Sequence, residues 1–186
     1  KYPGMKDFKK FGPFAYTAKL RNGLFRNTGA CLSPQNAFYN SIGMETLGLR
    51  MERVCDNAKT LAQFFATEYS DIEVNYPGLA GSKWHDIATE QFGDKFGGII
   101  TIRTGNKKRA FGIIDALKLP LIVSNIGDTK TLVIHPESTL NVHSTQEEKE
   151  TAGVFDDLIR ISVGIEDIDD LIDDFKQAIE SVKDVY

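Results

Sequence analysis

Residues 158–165 read LIRISVGI, and the next seventeen read EDIDDLIDDFKQAIESV. A strand sends alternate side chains to opposite faces. Ile159, Ile161, Val163 and Ile165 therefore predict a buried face. Leu158, Arg160, Ser162 and Gly164 fall on the other side. The period then changes. Ile168, Leu171, Ile172, Phe175, Ile179 and Val182 make one apolar stripe on a helix over 167–182. Glu166, Asp167, Asp169 and Asp170 crowd its start, where the helix dipole favours negative charge. An apolar strand face and an apolar helix stripe both need cover, and packing a sheet against helices supplies it.

The rest of the chain fits that scheme. Ser33-Pro34 reads as a helix start. Apolar residues from Ile42 to Phe65 recur at helical spacing, so one long helix is expected from Asn36 to about Thr67, with Gly43 and Gly48 as places to break or kink. A shorter helix is expected near Phe14–Leu24. Strands are expected at 71–76, 98–103, 121–124, 132–135 and 158–163. Further helices are expected over 84–91, from an Asn106 cap to about Leu117, and from the Thr145…Glu148 capping-box pair to Ala152. Short connections favour antiparallel pairing. The expected fold is α+β: a small, mostly antiparallel sheet packed by helices and preceded by a long helix. That helix should carry an apolar surface meant for another part of a larger molecule.

Composition narrows the function. The 186 residues carry a net charge of −4, with 41% hydrophobic and 26% charged residues. No cluster of Lys and Arg marks a nucleic-acid surface. No apolar run approaches the roughly 20 residues of a membrane span, and the N-terminus has no signal-peptide core. Two cysteines, Cys31 and Cys55, give no disulfide framework, so a cytoplasmic protein is expected. His85, His135 and His143 are too scattered for a metal site, so no metal is expected, and His135 is read as ending a strand. The acidic run 166–174 is read as a solvated helix face. Gly97-Gly98 lacks the pattern of a phosphate loop.

Arg160 stands out. A guanidinium inside an apolar strand is costly unless paired. The ordinary outcome is an internal ion pair. The alternative is a planar fork of donors held for a carboxylate, with Ser162 and Gly164 leaving space beside it.

Four stretches shift the balance towards the second. LSPQNAFYNSIGMETLGLRMERVCDNA (32–58), VNYPGL (74–79), SNIGDTKTLVIHPEST (124–139) and LIRISVGIEDIDDLIDDFKQAI (158–179) resemble, in that order, the C-terminal part of the pyridoxal-phosphate-dependent Cys/Met-metabolism enzymes. SNIGDTKTLVIHP and GMETL most resemble the O-acetylhomoserine sulfhydrylase branch. The resemblance implies the C-terminal domain of a fold-type I enzyme. It implies residues 1–40 as the tail of the cofactor domain and its connection, and 41–186 as a substrate-anchoring domain. It implies an amino acid substrate whose α-carboxylate is held by Arg160, with Ser124 assisting and Thr139 near the site. Leu140 and Asn141 depart from the family's usual Thr-His, so no role is carried onto them. The implied reaction makes homocysteine from O-acetylhomoserine and sulfide. The cystathionine γ-synthase, γ-lyase and methionine γ-lyase branches are alternatives, as is a stand-alone binding module.

The family's cofactor lysine stands in a Ser-x-Thr-Lys stretch, which this chain lacks. Lys19, Lys83 and Lys130 do not take its place in the family order. No catalytic or cofactor-binding residue is therefore assigned. Pyridoxal phosphate is expected in the full-length enzyme, and none bound covalently here. The upstream cofactor domain is the expected partner, in a homo-oligomer that is usually a tetramer.

Overall fold

The computed structural model describes residues 9–183. The chain forms two compact units, divided between Glu45 and Thr46. The first is helical. After a 3-10 turn at Gly12–Phe14, α1 (Ala15–Leu20) continues through a π-helical turn, Arg21–Phe25, into Arg26–Thr28. Gly29 ends it with a φ of 61°, a conformation suited to glycine. Helix α2 (Pro34–Glu45) starts as its sequence demands. Ser33 Oγ accepts the Asn36 amide at 3.2 Å, and Pro34 occupies the first turn. No residue of α2 is buried within the structure.

The second unit contains α3 (Leu47–Glu68), β1 (Glu73–Asn75), α4 (His85–Phe92), β2 (Ile99–Arg103), α5 (Lys107–Ala116), β3 (Leu121–Ile122) and β4 (Leu132–Ile134). A 3-10 turn at Pro136–Ser138, α6 (Gln146–Thr151), β5 (Leu158–Ser162) and α7 (Ile168–Ser181) complete it. The expected single long helix is two, because Thr46 leaves helical geometry between α2 and α3. The break falls between Gly43 and Gly48. Asn106 caps α5 by accepting the Arg109 amide, and Thr145 and Glu148 form the full capping box of α6.

The sheet runs β1-β2-β5-β4-β3, antiparallel throughout except for β3 beside β4. Ile100, Ile102, Ile159, Ile161 and Val133 share one face and are fully buried. Leu61 and Phe65 of α3, Ile113 of α5, and Leu171, Phe175 and Ile179 of α7 join them in one core. Phe65 and Phe175 meet edge to face at 5.2 Å. Burial of each such side chain contributes about 1.5–3 kcal/mol, enough to fix which face of the sheet is covered. No helix among the described residues is long and apolar enough to cross a membrane.

Two details of the terminal motif differ from expectation. β5 ends at Ser162, so Ile165 leaves the alternation and is 37% exposed. The acidic run is not simply solvated. Glu166 binds the Thr131 amide and hydroxyl at 2.5 and 2.9 Å, and the buried Asp174 takes backbone amides of the segment entering β3.

Candidate carboxylate-binding site

Arg160 sits in the middle of β5, opposite Thr101 of β2 and Ile134 of β4. Paired residues of an antiparallel ladder share a face, so these three lie on the side away from the core. Arg160 Nη2 donates to the Asn125 carbonyl at 3.2 Å. Its Nε is buried and has no hydrogen-bond partner. Among the described residues no carboxylate forms an ion pair with it, whereas Arg53, Arg103 and Arg109 pair with Asp167, Asp157 and Asp71. Burial lowers the Arg160 pKa from its ordinary value by penalising the charged form. The guanidinium still carries its charge at neutral pH, so an arriving anion would offset a cost the fold leaves standing.

The loop from β3 to β4 lies against this face. Ser162 Oγ accepts the Gly127 amide at 3.2 Å, and Gly127 takes a φ of 81°, which a side chain would strain. The sequence suggests that Ser162 and Gly164 leave open space, but the structure fills it. A side chain at Gly164 would collide with the Thr129 carbonyl oxygen, the Lys130 backbone and the Glu166 carboxylate. Glycine is needed there so that the loop backbone can approach.

Ser124 is exposed and directly precedes Asn125, whose carbonyl meets Arg160, so Arg160 and Ser124 belong to one locale. Thr139 does not join Arg160's hydrogen bonds. Its hydroxyl donates to the His135 carbonyl at 2.8 Å. His135 itself is spent on structure. Its Nε2 donates to the Asp156 carbonyl at 2.7 Å, leaving Nδ1 to accept from the Ser138 amide at 3.3 Å. Sequence reasoning passed over the Asn125 carbonyl, since any residue type supplies one. It also passed over the grip of Glu166 on Thr131, although the two-residue period from Arg160 to Glu166 marked that side chain.

A guanidinium with an unused donor is chemically suited to a planar carboxylate. The residues around Arg160 do not fit pyridoxal phosphate itself, which needs a phosphate cradle and a lysine at its aldehyde carbon. Lys130, the lysine of this loop, is exposed. Among the described residues no three His, Cys, Asp or Glu side chains converge as metal ligands.

Residues 10–180 match the family described as Cys/Met metabolism PLP-dependent enzyme. The chain is 39% identical over 183 residues to O-acetyl-L-homoserine sulfhydrylase of Corynebacterium glutamicum, covering 97% of this chain and 41% of that protein. It is 40% identical over 161 residues to an L-methionine gamma-lyase of Fusobacterium nucleatum, covering 86% of this chain and 40% of the relative. A solved structure from Campylobacter jejuni, assigned as an O-acetylhomoserine (thiol)-lyase and containing N'-pyridoxyl-lysine-5'-monophosphate, aligns with a TM-score of 0.82 at 38% identity, over 90% of this chain and 40% of that one. The chain thus spans about two fifths of the length of these relatives. With sequence and fold in agreement, this chain belongs to the Cys/Met-metabolism family of pyridoxal-phosphate-dependent enzymes.

Proposed function

We propose that this chain is the substrate-anchoring part of an enzyme that makes homocysteine from O-acetylhomoserine and sulfide. Arg160 takes the substrate's α-carboxylate, and Ser124 assists at the same group. The observation that carries the reading is the buried, unpartnered Nε of Arg160 on the face of the sheet opposite the core. A guanidinium in that state favours a planar anion that can accept two N–H bonds at once. Holding the carboxylate fixes the rest of the amino acid, so the bond to be broken is oriented before reaction. The cofactor, held in the full-length enzyme by residues outside this chain, supplies the electron sink for the charge that develops on carbon. Residues 1–40 serve as the tail of the cofactor domain, and 41–186 as the anchoring domain. The full-length enzyme works as a homo-oligomer.

Thr139 is kept as a peripheral substrate contact, supported by its place in the turn that follows β4, the strand paired with Arg160. The gamma-lyase relative supports a second reading, in which the same clamp serves elimination from methionine. The test uses the full-length enzyme. Arg160→Ala is expected to raise KM for O-acetylhomoserine at least about 100-fold, as truncating one partner of a buried charge pair costs several kcal/mol. KM for sulfide should hardly move. An unchanged KM for the amino acid would reject the reading. Faster release of α-keto acid from methionine than formation of homocysteine would favour the second one.

A further inference from the structure

Four alternate residues of the terminal motif act on one loop. Arg160 donates to the Asn125 carbonyl, and Ser162 accepts from the Gly127 amide. Gly164 gives its amide to the Thr131 hydroxyl oxygen at 2.9 Å and leaves room for Thr129 and Lys130. Glu166 accepts from both the amide and the hydroxyl of Thr131. Thr131 is fully buried, and its hydroxyl both donates and accepts. The Ile165 amide adds a bond to the Thr129 carbonyl at 2.9 Å. The bracket is fastened to the core helix. Asn57 of α3, itself buried, donates to the carbonyls of Gly164 and Glu166 at 3.1 and 2.9 Å.

We infer that Glu166 and Thr131 are positioning residues for carboxylate recognition at Arg160. This rests on the anchoring reading given above. The Asn125 carbonyl is the protein acceptor that fixes the guanidinium, and Ser124 is its neighbour in the chain. Their height over the sheet is set by how loop 125–131 is held, and one end of that loop is locked by the pair Thr131–Glu166. The carboxylate on Thr131 is therefore a constraint on where a substrate carboxylate must sit. Displacement of about 1 Å in such a position is enough to change rates strongly.

The test measures recognition of the carboxylate apart from stability. In the holoenzyme, inhibition by L-norleucine is compared with inhibition by pentylamine, which has the same chain and amine but lacks the carboxylate. The ratio of the two inhibition constants reads the clamp. Glu166→Gln and Thr131→Val are expected to reduce the ratio roughly 3- to 10-fold each, the effect of one weakened hydrogen bond. Their combined effect should be less than the product, because they break one contact. Thr131→Ser keeps the hydroxyl and should restore the ratio. Asp174→Asn removes a buried carboxylate contact elsewhere, so it should lower Tm and leave the ratio alone. If Glu166→Gln and Thr131→Val lower Tm but leave the ratio at its original value, while Arg160→Ala collapses it, the positioning role is wrong and the anchoring reading stands. If Arg160→Ala leaves the ratio intact, the anchoring reading itself falls and this inference with it.

Discussion

Asp174 of α7 accepts the Leu119 amide at 2.9 Å, and the same carboxylate takes the Lys118 amide at 2.9 Å. Gln177, one turn on, reinforces the join by donating to Asp174 at 3.0 Å and to the Ala116 carbonyl at 2.8 Å. The carboxylate thus covers the end of α5 and the entry to β3. The amides there lie past the helix, beyond its repeating bonds, and need an acceptor from elsewhere.

Asp174 is 7% exposed, so the amides it serves cannot simply turn to water. Asp174→Ala should therefore cost about 1–3 kcal/mol, the penalty for stranding buried donors. The midpoint of urea denaturation should fall with an unchanged slope, since the surface exposed on unfolding stays the same. A midpoint equal to that of the parent protein would show that the amides find other acceptors.

Glu137 offers a pH-dependent test. It follows β4 in the 3-10 turn and receives Lys107 Nζ at 2.8 Å and Lys149 Nζ at 2.5 Å, joining α5 to α6. The hydrogen bond from Lys107, then that from Lys149, holds its carboxyl down at about 2, against an ordinary 4.5. A depressed carboxyl pKa contributes stability that is fully present above 4.5. It is lost as the pH falls from there towards 2. Tm should decline through that window in the parent and decline less in Glu137→Gln, whose side chain cannot titrate. Parallel curves for the two proteins below pH 4.5 would show that the two lysines do not stabilise the carboxylate.

The sequence exposed the elements whose physics is local and hid those whose physics is not. Asn106, Thr145 and Glu148 cap helices because side chain and backbone lie three residues apart, and the structure keeps each one. The alternation at 158–163 and the stripe on α7 needed only the periods of strand and helix. Arg160 was legible because a charge inside an apolar strand is conspicuous, although its lack of a carboxylate partner among the described residues was not. Its hold on the Asn125 carbonyl was not, since that contact spans 35 residues and involves an atom every residue carries. Gly164 was read as leaving space, and only the fold shows that the 129–130 backbone fills it. Glu166 and Asp174 looked like solvent-facing helix charge, because their amide partners lie 35 and 55 residues away.

Helix α2 gives the last prediction. Phe38, Tyr39, Ile42 and Met44 are 62%, 58%, 47% and 68% exposed, and no residue of the helix is buried. Phe38 and Ile42 are one turn apart, so their side chains lie on one face. Single exposed apolar residues are ordinary, but a contiguous group on one helix marks a surface that is covered in the working molecule. Water penalises each uncovered residue by an amount that scales with its apolar area. The chain expressed on its own should therefore bind a hydrophobic-surface dye and sediment as more than a monomer at micromolar concentration. Phe38→Ser combined with Ile42→Ser should lower both signals while leaving the urea midpoint of residues 46–183 in place, because neither residue belongs to the core of that unit. Monomeric sedimentation and no dye binding by the unmodified chain would show that α2 needs no cover.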